Sequence, residues 1–300
     1  MIPSLLTALF FALSSLFANR SLKAVGMTRA NIGRLLFAAV VLGALAHTLG
    51  KGLGGAGRNW LLLSGVVGMG IGDMAFFAAL PSLGSRLTVL LTQCLAAPIG
   101  AVVEWVWLGT RVSPLQIAAG TVILAGIALA LMPDRTNPPR VTLRPVGFLL
   151  GLLSAIGQGV GAVISREASL VAQHAGQSID GITAAYQRTL GGLLVTLAYF
   201  AIRYALRRRD GLPSDLPTDA SWRGHGWIVA NSACGAIIGV SCYQWALITT
   251  PSAIVLPLVA CTPLVIIPFA IWFEGEHPSR RSLAGGLLAV AGAAVLGLAS

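Results

Sequence analysis

Charge is what this chain lacks. Of its 300 residues only 10% are Asp, Glu, Lys or Arg, while 56% are hydrophobic; a soluble domain carries roughly 25% charged residues. A chain of this length with so little charge cannot cover a water-facing surface, so its outer surface must face lipid. Cysteine is scarce as well. Cys94, Cys234, Cys242 and Cys261 sit singly inside apolar runs, without paired spacing or histidine partners, which argues against a disulfide framework and against a metal site and leaves small packing residues. No cofactor motif is present, and the absence of a GxxxxGK[ST] loop removes ATP use within the chain. The histidines His47, His174, His225 and His277 are scattered over different loops and helix ends. An intramembrane enzyme acting on lipid or isoprenoid would cluster such groups at one interface. A membrane receptor or assembly subunit that moves no solute stays open as a further alternative, and it would need no polar groups at midplane depth. The net charge of +10 does not point to nucleic acid, because the arginines lie in short segments between apolar runs, most clearly Arg207, Arg208 and Arg209. That placement suits loops held at an anionic leaflet.

What is there is a series of long apolar runs. A spanning helix needs about 20 mostly apolar residues, and ten segments qualify: Ile2–Ala18, Asn31–Leu49, Trp60–Leu80, Ser85–Leu108, Pro114–Met132, Pro145–Ser165, Ile182–Leu206, Gly226–Ile248, Ser252–Phe273 and Leu283–Ala299. The first lacks the basic flank of a signal peptide and reads as a retained span. Pro133–Arg144, rich in Pro and Arg, divides the chain nearly in half. The expected organisation is therefore a five-helix unit over 1–132, a linker over 133–144 and a second five-helix unit over 145–300.

The halves resemble each other. With a shift of 167 residues, Gly68 and Gly72 fall on Gly235 and Gly239, Ala79-Leu80 falls on Ala246-Leu247, and Ser85 falls on Ser252. After a small change of offset, Pro98 meets Pro263, Trp107 meets Trp272 and Gly109 meets Gly275; Arg34 can be set against Arg188. A repeat of five spans, an odd number, places the second copy in the membrane the other way up. The expected fold is thus an all-α membrane protein of ten transmembrane helices arranged as two inverted five-helix repeats. A solute site between the halves, near the midplane, would be exposed to either side in turn.

Prolines inside spans free a backbone carbonyl, tolerable in lipid only beside protein or a water-filled cavity. Pro98 on the fourth span and Pro257, Pro263 and Pro268 on the ninth mark these two as bent, cavity-lining helices. Ionisable groups within spans are costly and point to function. Asp73 lies about 20 Å along its helix from Trp60. Burial disfavours its ionised form unless a cation or donors hold it, so it is a site for a coupling proton or a substrate amine, or else one half of a structural pair with Arg34 or Arg188. Glu104, about 6 Å from the end of its helix, is expected to reach the interface or meet Arg111. Arg34 is read as a helix-end anchor at the headgroups ahead of the alternative, a bidentate holder of a substrate carboxylate. Arg188, beside Tyr186 and Gln187, is either such an anchor or a bidentate holder of a substrate carboxylate. Gln93, Gln158, Asn231, Tyr243, Gln244 and Trp245 complete a candidate polar pocket, able to hold a solute by hydrogen bonds and ring contact.

These features resemble the drug/metabolite transporter superfamily, EamA type. The matching residues are the mid-helix proline of each fourth span, Pro263-Leu264, the segment Trp272-Phe273-Glu274-Gly275-Glu276, the glycines Gly285-Gly286 and Ala291-Gly292 that follow, and in the first half Gln116, Gly120 and Gly126. Leu108-Gly109-Thr110 stands where that family has Gly-Glu. Arg34 is similar to the arginine that opens the family's second helix. The resemblance implies export or exchange of a small metabolite or amino acid by alternating access, in the bacterial inner membrane, as a monomer or homodimer. It fixes no coupling ion; protons are one candidate. The positive-inside count puts both termini outside, since only Lys51, Arg58, Arg111 and Arg166 occupy even-numbered loops, whereas the resemblance implies both inside.

Overall fold

In lipid, backbone N–H and C=O groups find no water, so an apolar run must satisfy its own hydrogen bonds, and the helix does so within one segment. The computed structural model describes residues 1–131, 144–209, 222–262, 264–265 and 280–298; it is predominantly helical through the described parts of the long apolar runs, and no strand occurs among the described residues. The elements are α1 (Ile2–Val25), α2 (Met27–Leu49), α3 (Arg58–Ser64), a π-helical segment π1 (Gly65–Gly72), α4 (Asp73–Leu108), α5 (Pro114–Leu131), α6 (Pro145–His174), α7 (Gly181–Arg209), α8 (Trp222–Asn231), a second π-helical segment π2 (Ser232–Gly239), α9 (Val240–Thr249), α10 (Ser252–Val259) and α11 (Arg280–Leu298).

Several helices overrun the apolar segments. α2 begins before Asn31, α6 continues past Ser165 to His174, and α7 reaches Arg209. Hydrophobicity marks the thickness of the bilayer, while polar residues such as Arg166, Glu167 and Arg203 are sound helix formers and carry the helix beyond it. Among the described residues, seven helices are long and apolar enough to cross a membrane, and Pro114–Ala130 and Ala284–Leu296 are shorter apolar helices. With the eight-residue α10, that is what the described chain supplies against the ten full spans expected. The second part of the ninth segment, with Pro263, Pro268 and Trp272, lies outside the described residues, as do Glu274, Gly275 and Glu276.

The expected break between Leu80 and Ser85 takes an unexpected form. Helical backbone continues through 81–84, yet the chain doubles back there. A Cβ on Gly147 of α6 would touch Ser82 and Leu83, while Gly157 faces Gly72 and Gly159 faces Gly100. Residues 72 and 100 would lie about 42 Å apart on a straight helix, so contact with two positions only two residues apart on α6 requires two antiparallel arms. α4 ends at Gly109, whose φ of 69° is left-handed, its N–H bonding back to Trp105. Lack of a Cβ makes that conformation inexpensive.

Small residues set the packing. A Cβ on Gly126 of α5 would come within 2.6 Å of the backbones of Gly285 and Ala289 of α11, so these two helices touch backbone to backbone. Leu194 and Leu287 point outward, 68% and 74% exposed, as side chains facing lipid should. The contacts of the two π segments exchange between halves: α6 and α7 pack on π1, and α1 and α2 pack on π2.

Candidate functional site

The two π segments coincide under the 167-residue shift, Gly65 on Ser232 and Gly72 on Gly239. π-turns are rare and gather at functional sites, so their appearance at matching places in both halves locates the centre of the molecule. Glycine and alanine fill both segments, GVVGMGIG and SACGAIIG, and the wider helix leaves neighbouring polar groups room to approach.

Asp73 directly follows π1. Its Oδ2 accepts from Arg34 Nη2 at 2.8 Å and its Oδ1 from Gln158 Nε2 at 3.0 Å. Arg34 Nε also donates to Asn31 Oδ1 at 2.9 Å, and its guanidinium lies 5.9 Å from the Phe77 ring centroid. The pair is 15% and 20% exposed and ties α2, α4 and α6 together. A cation and an amide donor thus face the carboxylate, and Arg34 is a partner of Asp73 instead of the headgroup anchor expected from its place near a helix end. Of the two structural partners open for Asp73 in the sequence, Arg34 and Arg188, the pair forms with Arg34, 39 residues away.

Arg188 on α7 is 2% exposed. Its Nη1 donates to Ser64 Oγ and Ser165 Oγ, each at 2.9 Å, and to the Gly161 carbonyl at 3.3 Å. Its guanidinium lies 5.4 Å from the Tyr243 ring centroid, close enough for a cation–π contact. Ser64 donates to the Gly161 carbonyl at 2.6 Å and exchanges a hydrogen bond of 2.7 Å with Ser165. A Cβ on Gly68 would sit 2.6 Å from Arg188 Nη2. Arg188 therefore stands at the meeting of α3, π1, α6, α7 and α9, far from any headgroup role.

The other half answers contact for contact. Asn231 corresponds to Ser64, and its Oδ1 accepts from Ser14 on α1 at 2.6 Å. Ser232 corresponds to Gly65. Ser232 Oγ donates to the Arg34 carbonyl at 2.7 Å, and Gly65 packs against the Arg188 carbonyl. Ser14, Ser64, Ser165 and Ser232 were passed over in the sequence because isolated serines in apolar runs look like packing residues; the 167-residue shift from Ser64 to Asn231 was the available signal.

The remaining candidates disperse. Gln158 and Tyr243 belong to the two arginine clusters. Gln244 is 1% exposed, and its Nε2 has no hydrogen-bond partner among the described residues. Gln93 is half-buried on the second arm of α4. Tyr186 lies in the seam between α2 and α7, edge-on to His47 at 5.4 Å and against Gly43. Trp245 is 50% exposed and turns away from the ring of Tyr243, because consecutive helical residues point about 100° apart. Pro98 and Pro257 lie inside α4 and α10. Arg111 is exposed in the loop after α4. Glu104 neither reaches the interface nor meets Arg111. It is 1% exposed, and its Oε2 accepts from Ser252 Oγ and, at 3.1 Å, from the Ala253 N–H, capping the positive end of α10. Its Oε1 is buried with no hydrogen-bond partner among the described residues. Among the described residues no group of three or more His, Cys, Asp or Glu has the arrangement of a metal site.

The profile of the EamA-like transporter family matches the chain twice, over residues 1–132 and 145–298. The chain belongs to this family. Twenty-nine chains of solved structures also match; one, described only as the crystal structure of a protein, covers 100% of this EamA-like chain and 99% of its own with a TM-score of 0.76 at 19% identity. At that identity the likeness speaks for the fold alone. No curated protein matches the sequence. Membership makes this a multi-pass membrane protein of a transporter family, and the two profile matches fall on the halves whose π segments correspond.

Proposed function

We propose that this EamA-like protein is a secondary transporter, an exporter or exchanger of small metabolites or amino acids in the bacterial cytoplasmic membrane. Two inverted five-helix repeats, 1–132 and 145–300 joined by 133–144, rock about a shared centre to expose it to one side and then the other. The observation that carries this reading is the exchange of corresponding contacts: Ser64 with α6 against Asn231 with α1, and Gly65 with Arg188 against Ser232 with Arg34. Two units related in this way have two equivalent arrangements of one interface, and a solute between them would meet opposite faces of the membrane in the two. The glycine-rich π segments at that interface are where backbones slide with least obstruction.

Asp73 is the proposed coupling group. Its ion pair with Arg34 is one state of a switch, and protonation would release Arg34 and free α2 from α4. The test is transport in proteoliposomes by the full chain and by Asp73→Asn, with a metabolite-export comparison of overexpressing and deletion strains to supply the solute. Asp73→Asn is expected to abolish uptake driven by a proton gradient and to leave solute exchange measurable. Unchanged gradient-driven uptake would remove Asp73 from the coupling role, and the absence of any solute movement by the intact protein would remove the transport reading.

A further inference from the structure

A guanidinium taken out of water needs a counter-charge or a full set of hydrogen bonds. Arg188 is 2% exposed, and the groups facing it are neutral: the hydroxyls of Ser64 on α3 and Ser165 on α6, the Gly161 carbonyl, and the Tyr243 ring on α9. Among the described residues no carboxylate lies within ion-pair distance of it. Asp73 is close enough to be felt electrostatically, but both its oxygens are taken, by Arg34 and Gln158. Arg34, Asp73 and Arg188 together carry one more positive charge than negative.

The internal repeat shows what is missing. Arg34 corresponds to Arg188, and the residue corresponding to Asp73 is Val240. Val240 is buried in one apolar cluster with Ala185, one turn from Arg188 on α7. The first half keeps its anion on the chain; the second half has the cation and an apolar residue where the anion would be. Gly68 is pressed against Arg188 Nη2, and any side chain there would collide with the guanidinium.

We propose that the substrate supplies the missing charge: the transported solute carries a carboxylate or phosphate group that binds Arg188, with Tyr243 beneath the guanidinium and the serine hydroxyls orienting it. This rests on the transport reading above. A fork of parallel donors suits a planar or tetrahedral oxyanion. An anionic group arriving at a site already short of negative charge is held most strongly between the halves, where water is scarcest, which selects solutes bearing a carboxylate or phosphate over those of equal size without one.

The test uses the full chain in phosphatidylcholine proteoliposomes, free of anionic lipid, and follows counterflow of radiolabelled succinate, inorganic phosphate, leucine and putrescine. The expected result is uptake of at least one of the first three, lowered at least about thirtyfold by Arg188→Gln and partly restored by Arg188→Lys, with the loss appearing in KM. Uptake of putrescine alone would leave transport standing and overturn the anion site, as would anion uptake undiminished in Arg188→Gln. Should that variant fail to fold, Val240→Asp places a carboxylate where the first half has one and is expected to suppress anion uptake to a similar degree; full uptake by Val240→Asp would overturn the proposal. Thermal unfolding in phosphatidylcholine nanodiscs gives a readout independent of transport. Phosphate that stabilises the wild type and not Arg188→Gln supports the site even where no probe is moved. Stabilisation by added phosphatidylglycerol and by no soluble anion would assign the site to a lipid headgroup and overturn its assignment to substrate.

Discussion

Arg34 and Arg188 hold corresponding places in the two halves and are satisfied by different means. Arg34 has a carboxylate at 2.8 Å and remains 15% exposed. Arg188 is more deeply buried, yet its partners in the described structure are hydroxyls, a carbonyl and an aromatic ring. Neutral dipoles can meet the hydrogen-bonding demand of a guanidinium without cancelling its field. The first cluster is therefore closed within the chain, and the second still attracts an anion. The same frame holds an ion pair within the chain on one side and an arginine among neutral groups on the other, with Asp73 standing against Val240.

The difference can be broken most severely at the closed cluster. Asp73→Ala strands Arg34 in a largely buried setting and is expected to cost about 3 to 5 kcal/mol of stability, the usual penalty for removing one member of a buried pair. Thermal unfolding in detergent, read by size-exclusion chromatography, checks it. Replacing both members, Arg34→Met with Asp73→Leu, is expected to recover most of the loss; a double variant no more stable than Asp73→Ala would mean that the charge left behind is not what destabilises. At the open cluster the effect is smaller. Ser64→Ala removes an acceptor from Arg188 and a donor from the Gly161 carbonyl, and should cost roughly 1.5 to 3 kcal/mol because one bond involves a charged group. A neutral outcome would show that Arg188 finds another partner at once.

Much of the frame was legible in the sequence, because lipid imposes long apolar runs and a repeated fold leaves spaced glycines, prolines and tryptophans in matching order. Helix ends were legible only where they coincide with the edge of the bilayer, so α6 and α7 were drawn too short. The reversal at 81–84 falls in the gap between the third and fourth apolar segments, but the helical backbone that continues through it leaves no mark on composition. Asp73 could be named as a costly buried carboxylate with Arg34 or Arg188 as its candidate partners, but the choice between them depends on how α2 and α4 are set side by side, which hydropathy does not encode. Glu104 was misread for a related reason. Counting residues to a helix end gives depth along one helix and nothing about α10, whose first turn takes the carboxylate.

The mildest perturbation compares the same contact with and without a charge. Ser14 with Asn231 and Ser64 with Gly161 and Ser165 are two corresponding contacts between the halves, but among the described residues no guanidinium joins the first through its side chain. Ser14→Ala removes the 2.6 Å bond to Asn231 Oδ1 and leaves that oxygen on a residue 4% exposed. Neutral hydrogen bonds between membrane helices average about 0.6 kcal/mol, and neutral bonds in proteins generally reach about 1.5, so the expected loss lies between these and below that of Ser64→Ala. Measuring both variants in one detergent separates the contribution of the shared geometry from that of Arg188. Equal losses would mean that the arginine adds nothing to the serine contacts around it; a larger loss at Ser64 assigns the excess to the uncompensated charge.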